Sequence, residues 1–259
     1  MTRPKPTNDP QESRLPAGGV PTRRLGPLEP GTLVITDLHL APLGDRRTDL
    51  FEEECAGLVA IPRLIVLGDL FDVWVGRKQA ALDGSRRVLA ALRGLTDRGV
   101  AVEVVPGNRD SLLGVDFERL TGATLHREGF LASGRFDGFD GEVAFVHGDA
   151  LCTLDRGYLR LRTLLRARAV RALSRRAPLF VARRIGRRLR AESENRKPFK
   201  LAADRSIRPA AVEELLRRSA AELVVCGHAH VARDERVGGG RWIVVAAWRE
   251  SPDDRLRFD

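Results

Sequence analysis

Short apolar runs recur along the chain from residue 32 onward and predict the strands of a buried sheet. The six clearest runs are rich in Val, Ile and Leu, and most of their positions are apolar rather than alternating with polar ones. Such uniform runs are typical of strands that are covered on both faces. The runs occupy residues 32–36, 64–67, 100–105, 143–146, 223–226 and 242–247.

Stretches with helical periodicity lie between the first three of these runs. Residues 46–60 and 86–98 have helical character and lie between the first three predicted strands. Because strand and helix alternate, we expect an α/β fold. Further predicted elements are shorter strands at 124–130 and 131–139, a helix at 209–218 and a last edge strand at 255–258.

Two regions depart from this alternation. Residues 1–30 are rich in Pro, Gly and Arg and predict a disordered or loosely attached extension ahead of a domain at 31–259. Residues 155–195 show no strand pattern and predict two helices, the first over 158–175 and the second after Pro178. We therefore expect a helical hairpin inserted at about 155–200. Its apolar positions are Leu161, Leu164, Leu165 and Leu173 in the first helix and Val181, Ile185 and Leu189 in the second.

The net charge of +9 is concentrated in this predicted hairpin. Residues 156–190 contain 13 arginines and no lysine or acidic residue, so the rest of the chain carries −4 (+9 minus 13). Because like charges repel, so many arginines without an acidic residue among them favour an anionic partner over a helix face that is simply solvated. Three partners are possible: lipid headgroups, a pyrophosphate substrate and nucleic acid. Apolar side chains opposite arginines are typical of a membrane surface. Tyr158 and Phe180 are the only aromatic residues there, which disfavours stacking on nucleic acid bases.

Hydropathy and cysteine content bear on the compartment. No window offers about 18 uncharged apolar residues, so no transmembrane helix is predicted, and the amino terminus has no apolar signal-peptide core. Cys55, Cys152 and Cys226 are far apart, lie among apolar neighbours and have no CxxC spacing. We expect reduced core thiols and a cytoplasmic location.

Five segments at the ends of apolar, strand-like runs carry side chains that bind metals. Loops past the carboxyl ends of strands meet in one crevice of an open α/β sheet, so the segments predict a single site. Their carboxylate, amide and imidazole groups suit Mn²⁺, Fe²⁺ or Zn²⁺ better than Ca²⁺ or a thiolate zinc site. The segments are Asp37-Leu-His39, Gly68-Asp69, Gly107-Asn108, His147-Gly-Asp149 and Gly227-His228-Ala-His230.

Spacing within the segments indicates two ions. Asp37 and His39 are two residues apart, so in an extended segment they share one side and could hold one metal. His228 and His230 have the same spacing and could divide between two metals, with Asp69 as the natural bridging carboxylate. Two metals about 3.5–4 Å apart serve the hydrolysis of phosphorus esters. No Ser-His-Asp or Cys-His pair is evident beside the segments, which favours a water nucleophile.

In this order, the motifs Asp-x-His, Gly-Asp-x-x-Asp, Gly-Asn, His-Gly-Asp and Gly-His-x-His resemble those of the calcineurin-like metallophosphoesterases over about residues 32–248. The resemblance implies a β-sandwich flanked by helices, with the helical hairpin as an inserted cap, and a binuclear site. Carried over by motif, one metal would be held by Asp37, His39, Asp69 and His230. The other would be held by Asp69, Asn108, His147 and His228.

Other segments resemble one branch of that family, the UDP-2,3-diacylglucosamine pyrophosphohydrolases of lipid A synthesis. They are residues 107–114, 147–158, 188–193 and 246–248. Arg109 stands where most relatives place a histidine, and a guanidinium would stabilise charge rather than donate a proton. Lys197 stands where the branch would have an asparagine. The resemblance makes Asn108, Arg109 and His228 the catalytic candidates, and the candidate substrate contacts are Arg109, Asp155, Ser193, Lys197, Lys200 and His228.

The activity implied is hydrolysis of the pyrophosphate of UDP-2,3-diacylglucosamine to UMP and 2,3-diacylglucosamine 1-phosphate (lipid X). A metal-activated water would attack the phosphorus on the uridine side, with two divalent ions that we expect to be Mn²⁺. The partners implied are the lipid-linked UDP-sugar and the anionic inner face of the cell membrane. Two alternatives stay open: another metallophosphoesterase acting on a nucleotide, a phosphoprotein or a nucleic acid, and a non-enzymatic basic protein that binds nucleic acid or membrane.

Overall fold

The computed structural model describes residues 14–16, 19–178, 180, 184, 206–249 and 254–259. Their strands are β1 (Leu33–Ile35), β2 (Arg63–Val66), β3 (Ala101–Val104), β4 (Thr124–Leu125), β5 (Phe130–Phe136), β6 (Phe139–Phe145), β7 (Leu223–Cys226), β8 (Arg233–Val237), β9 (Gly240–Val244) and β10 (Arg255–Arg257). They form two five-stranded sheets with the orders β10-β1-β2-β3-β4 and β5-β6-β7-β9-β8. The central strands of both sheets are parallel, and β10, β5 and β8 join antiparallel at their edges.

Each of the six predicted apolar runs overlaps a strand, and β10 confirms the predicted edge strand. The boundary predicted between residues 130 and 131 is wrong, because β5 and β6 form a hairpin that turns at Asp137 and Gly138, both at positive φ. Strand β8 is missing from the sequence prediction because its residues are charged and exposed. The Gly238-Gly239 pair at positive φ that joins β8 to β9 is the turn signal that could have revealed it.

The helices of the described residues are α1 (Arg46–Gly57), α2 (Asp83–Asp97), α3 (Val115–Thr121), α4 (Arg156–Arg166), α5 (Arg168–Arg176) and α6 (Pro209–Ser219). Helices α1, α2 and α3 pack on the first sheet and α6 packs on the second, whereas α4 and α5 belong to the insertion. Asp45 and Thr48 form a capping box that begins α1, and Pro209 occupies the first turn of α6. Helix α3 is too short for its apolar period to stand out in the sequence.

Alternate residues of the strands divide the core into layers. Leu33 and Ile35 of β1 face α1 and α2, while Val34 faces the other sheet. Between the sheets, Val34 belongs to an apolar cluster that includes Ile65, Phe145 and residues of β5, β7 and β9. A separate layer packs α6 against the second sheet. This confirms the predicted α/β sandwich flanked by helices.

The insertion differs from the prediction of one helix over 158–175. Ala167 adopts an extended conformation (φ −61°, ψ 137°), and this residue separates α4 from α5. The predicted apolar stripe lies partly at the surface, because Leu164 and Leu173 are 57% and 70% exposed. The second predicted helix, after Pro178, lies largely outside the described residues.

The segment before β1 is more firmly attached than the predicted loose extension. The backbone of Leu25 and Leu28 donates to Leu131 and Ser133 of the edge strand β5. Leu28 is buried in the layer between the sheets, and Leu15 is buried beside α6. The extension prediction is therefore wrong for the described residues 19–30, because they cover an exposed strand edge and contribute to the core.

Within the described part of the chain, no helix combines the length and apolar character that crossing a bilayer requires.

Candidate metal centre

The metal-binding segments predicted from the sequence meet where the two sheets end. Asp37, Asp69 and Asn108 follow β1, β2 and β3 of the first sheet, while His147 and His228 follow β6 and β7 of the second. The loops bond to each other through backbone groups. The Asp37 N–H donates to Gly68 O at 3.1 Å, and the Gly227 N–H donates to His147 O at 2.9 Å. The carboxyl ends of parallel strands thus bring distant parts of the chain to one crevice, as predicted.

One cluster of candidate ligands contains Asp37, His39 and His230. The Nε2 atoms of His39 and His230 lie 3.3 Å apart. Asp37 Oδ1 lies 3.5 Å from His230 Nε2 and 4.0 Å from His39 Nε2. Three ligand atoms this close could share one cation.

A second cluster contains Asp69, Asn108, His147 and His228. Asn108 Oδ1 lies 3.2 Å from His147 Nε2 and 3.1 Å from His228 Nδ1, and His147 Nε2 lies 3.8 Å from Asp69 Oδ1. His147 Nδ1 bonds to Leu67 O at 2.7 Å. That bond fixes the ring so that Nε2 faces the cluster, the usual arrangement behind a metal-binding histidine.

Asp69 contacts both clusters. Its Oδ2 lies 3.9 Å from His39 Nδ1, and its Oδ1 faces His147. Asp37 is also close enough to both clusters to share an ion with either. However, Asp37 Oδ2 already accepts from the Thr36 hydroxyl at 2.9 Å and from the His228 N–H at 2.8 Å. The two oxygens of Asp69 face side chains of different clusters, whereas Asp37 faces the first cluster's side chains and reaches His228 through the backbone N–H of that residue.

The backbone at this centre is strained at the candidate ligands themselves. Nine described non-glycine residues have positive φ, and five of them are candidate ligands: Asp37, His39, Asp69, His228 and His230, with φ of 50–67°. Left-handed backbone is costly for most residues, and it concentrates at functional sites. The backbone conformation therefore marks five of the same residues that the side-chain chemistry marks.

Burial changes the pKa values of several candidate ligands. Burial lowers the pKa of His39 to about 3 and that of His228 to about 4. Burial raises the pKa of Asp69 to about 8, although His147 partly offsets the effect. Near pH 7 the imidazoles of His39 and His228 are therefore neutral, which is the form that binds metals.

Arg109 lies at the rim of the two clusters. Its Nη1 bonds to Asp72 at 3.2 Å, its Nε lies 3.7 Å from Asp69 Oδ2, and its backbone N–H donates to Asp69 Oδ1 at 2.9 Å. The guanidinium is partly exposed, so it is available to an anion. Asp72 therefore contacts the arginine and is not a member of either cluster of candidate ligands.

The structural role of Asp110 was not predicted from the sequence. This buried carboxylate accepts from the Gly107 N–H at 2.7 Å and from the Leu70 N–H at 2.8 Å, so it joins the loops that carry Asn108 and Asp69. The only sequence signal is its position next to Arg109 in the Gly-Asn-Arg-Asp segment.

The insertion contacts the centre through Asp149. Asp149 accepts from Arg162 Nε at 3.0 Å and from the Tyr158 hydroxyl. Burial raises the pKa of the Asp149 carboxyl, but Arg162 and Arg166 outweigh burial and hold that pKa below its usual range. Asp149 is therefore an ionised partner of α4.

The predicted substrate contacts divide into two groups. Asp155 begins α4, where its carboxylate accepts from the Tyr158 N–H at 3.0 Å, and it keeps an exposed fraction. Ser193, Lys197 and Lys200 lie outside the described residues. The structure therefore brings together the seven candidate ligands and Arg109 and leaves these three contacts as predictions.

The paired carboxylate–histidine clusters on a two-sheet sandwich define a phosphoesterase of the calcineurin-like class. Residues 32–232 match the model of the calcineurin-like phosphoesterase family, and the chain belongs to that family. This confirms the family predicted from the five motifs.

Several relatives of similar length share the same name. Proteins called UDP-2,3-diacylglucosamine hydrolase match from Neisseria gonorrhoeae (33% identical over 87% of this chain and 92% of the relative) and Klebsiella pneumoniae (32% over 86% and 96%). A third, from Ralstonia nicotianae, is 34% identical over 86% of this chain and 85% of its own length. Among solved structures, a phosphopantetheinyl hydrolase from Mycobacterium tuberculosis aligns with a TM-score of 0.44 and 17% identity, over 88% of this chain and 95% of that one.

Proposed function

We propose that this protein hydrolyses the pyrophosphate bond of UDP-2,3-diacylglucosamine and releases UMP and 2,3-diacylglucosamine 1-phosphate. The observation that carries the proposal is the meeting of two carboxylate–histidine clusters beside Arg109, in a chain similar over most of its length to proteins named for that substrate. Metal ions and a fixed cation both accelerate the cleavage of an anionic phosphorus ester, and this site offers candidate ligands for the ions and Arg109 as the cation.

The residues at the centre fit divalent ions. Asp37 Oδ1 and His39 Nδ1 are buried without a hydrogen-bond partner, which is costly unless a cation is bound nearby. We propose that Asp37, His39, Asp69 and His230 hold one ion, and that Asp69, Asn108, His147 and His228 hold the other. Oxygen and imidazole donors in this ratio suit Mn²⁺, which we propose as the metal. Two such ions supply a water nucleophile near neutral pH and offset phosphoryl charge.

The chain's own residues orient the substrate. Arg109 is half-buried, always charged and presents a planar fork, so it would bind phosphoryl oxygens and stabilise charge that develops on them. Asp72 holds the guanidinium at the rim before substrate arrives. We also propose that Asp155, at the start of α4, contacts the sugar together with Ser193, Lys197 and Lys200.

A pair of substrates tests this proposal. Purified protein with Mn²⁺ is assayed against UDP-2,3-diacylglucosamine and against bis-p-nitrophenyl phosphate, with Asp69→Asn as the inactive control. We expect efficient release of UMP from the lipid and weak turnover of the generic diester, both lost in the control. Efficient diester turnover with none of the lipid would show a different phosphoesterase. Activity that survives Asp69→Asn, together with tight DNA binding, would favour a basic binding protein.

We also propose that the insertion rests on an anionic membrane surface, where the acyl chains of the substrate reside. Leu164, Leu173 and Phe180 are 57%, 70% and 73% exposed within the arginine-rich stretch. Exposed apolar side chains among arginines are the combination that binds anionic bilayers.

Vesicle sedimentation tests this membrane contact. The protein should sediment with vesicles that contain phosphatidylglycerol and not with pure phosphatidylcholine. The variant Leu164→Ser/Leu173→Ser should bind more weakly. Val59→Ser is the matched control, because Val59 is 77% exposed but lies next to α1, outside the insertion. Equal binding by all three proteins would contradict the proposal.

A further inference from the structure

Helix α4 directs two of its arginines into the protein. Arg162 is 5% exposed and the Arg166 side chain 10%, whereas Arg160 on the same helix is exposed. Burying a guanidinium is costly unless its donors are satisfied. The partners of these two arginines therefore show why the helix is built this way.

Arg162 bonds on both sides to acidic residues outside the insertion. Its Nε donates to Asp149 at 3.0 Å and its Nη2 donates to Glu128 at 3.0 Å. The Tyr158 hydroxyl donates to the same Asp149 oxygen. Asp149 is two residues past His147, and Gly148 between them has a φ of +114°. Arg162 thus holds the turn that His147 precedes.

Arg166 reaches the loop of another candidate ligand. Its Nη1 donates to Glu128 at 2.8 Å and to the carbonyl of Arg127, and its Nη2 donates to Pro106 O at 3.3 Å. Pro106 is two residues before Asn108, whose Oδ1 lies 3.2 Å from His147 Nε2. The two arginines therefore hold the backbone on both sides of the Asn108–His147 contact.

We infer that Arg162 and Arg166 are positioning residues for the ion held by Asp69, Asn108, His147 and His228, so that the insertion builds one of the two metal positions. This inference rests on the ligand sets proposed above. The other set is held from elsewhere: Arg47 Nε donates to Leu38 O, between Asp37 and His39, at 3.0 Å. A loss of Arg162 should therefore affect one ion and spare the other.

Calorimetric titration of the metal-free protein with Mn²⁺ measures this asymmetry. Wild type should bind two ions. In Arg162→Met, one ion should bind as in wild type and the other about 10–100-fold more weakly, the usual effect of losing a group behind a metal ligand. Turnover of bis-p-nitrophenyl phosphate should recover as Mn²⁺ is raised. Arg160→Met is the matched control and should bind both ions unchanged.

Three results would overturn the inference. Both ions could bind to Arg162→Met as in wild type, or both could weaken equally, which indicates a general loss of structure. If wild type itself binds fewer than two ions, the proposed ligand sets fail as well. Should Arg162→Met not fold because Asp149 is left unpaired, the double variant Arg162→Met/Asp149→Asn removes both buried charges. It must show the same one-ion loss, and two wild-type affinities there would also refute the positioning role.

Discussion

Two glycines with the same backbone conformation provide a matched pair of variants, one at the metal centre and one with open space around it. Gly68 and Gly99 both have a φ of +87°. A Cβ at Gly68 would lie 2.4 Å from His147 Nδ1, 2.7 Å from His147 Cγ and 2.8 Å from Gly107 Cα. A Cβ at Gly99 would meet nothing within 4 Å. Gly68→Ala and Gly99→Ala therefore share the cost of left-handed backbone, and they differ in the collision with the candidate ligand His147.

The expected magnitudes follow from these two terms. A side chain in left-handed backbone costs about 1–2 kcal/mol, which should be the whole loss of unfolding free energy in Gly99→Ala. Overpacking adds about 1–3 kcal/mol, so Gly68→Ala should lose about 2–5 kcal/mol. Because the collision displaces His147, we expect turnover to fall about 100-fold in Gly68→Ala, as for a misplacement of about 1 Å. Turnover should be unchanged in Gly99→Ala.

Urea unfolding of the metal-free variants and turnover of bis-p-nitrophenyl phosphate with Mn²⁺ measure the two quantities. The reasoning is refuted if the two variants lose the same unfolding free energy, or if Gly68→Ala keeps wild-type turnover. A loss of turnover in Gly99→Ala would show that left-handed strain alone disturbs the centre from a distance.

Three further outcomes are expected. Arg109→Lys keeps the charge and loses the planar fork, so kcat/KM for a phosphodiester should fall about 10-fold or more. That loss corresponds to the roughly 1.5 kcal/mol that a hydrogen bond to a charged group contributes. An unchanged kcat/KM would show that Arg109 does not bind the substrate. Adding Mn²⁺ to chelator-treated protein at about 100 times its Kd should stabilise the fold by about 2.7 kcal/mol, or roughly 5–11 °C in Tm, and no rise would mean that the buried ligands bind no ion. Phe145→Ala should lower the unfolding free energy by about 3–5 kcal/mol in urea, because Phe145 is fully buried between Phe130 and Phe258, and a loss below about 1 kcal/mol would show that this layer is loosely packed.

The sequence predicts the centre better than it predicts the surroundings of the centre. Asp37, Asp69 and His147 follow uniform apolar strands directly, so locating the strand end also locates the ligand. Arg162 gives no such signal, because its partner Asp149 is 13 residues away and a helix of arginines looks solvated in the sequence. Leu28 escaped prediction for a related reason: it pairs with an edge strand that exists only once the second sheet has formed. These features depend on contacts between residues that are far apart in the sequence, and local composition does not reveal such contacts.

The left-handed backbone of the candidate ligands and their side-chain chemistry have a common origin. A strand that ends at a crowded site must turn sharply, and a positive φ achieves this in one residue. Asp and His tolerate positive φ several-fold better than most non-glycine residues, and they are also good metal ligands. As candidate ligands, Asp69 and His228 would therefore supply the turn and the metal-binding group together, where a glycine would supply only the turn. Backbone bonds between loops hold this geometry, as when the His39 N–H donates to Asp69 O at 2.9 Å. It follows that Asp69→Asn, which keeps tolerance for positive φ, isolates the loss of the carboxylate, whereas Asp69→Ala would combine that loss with backbone strain.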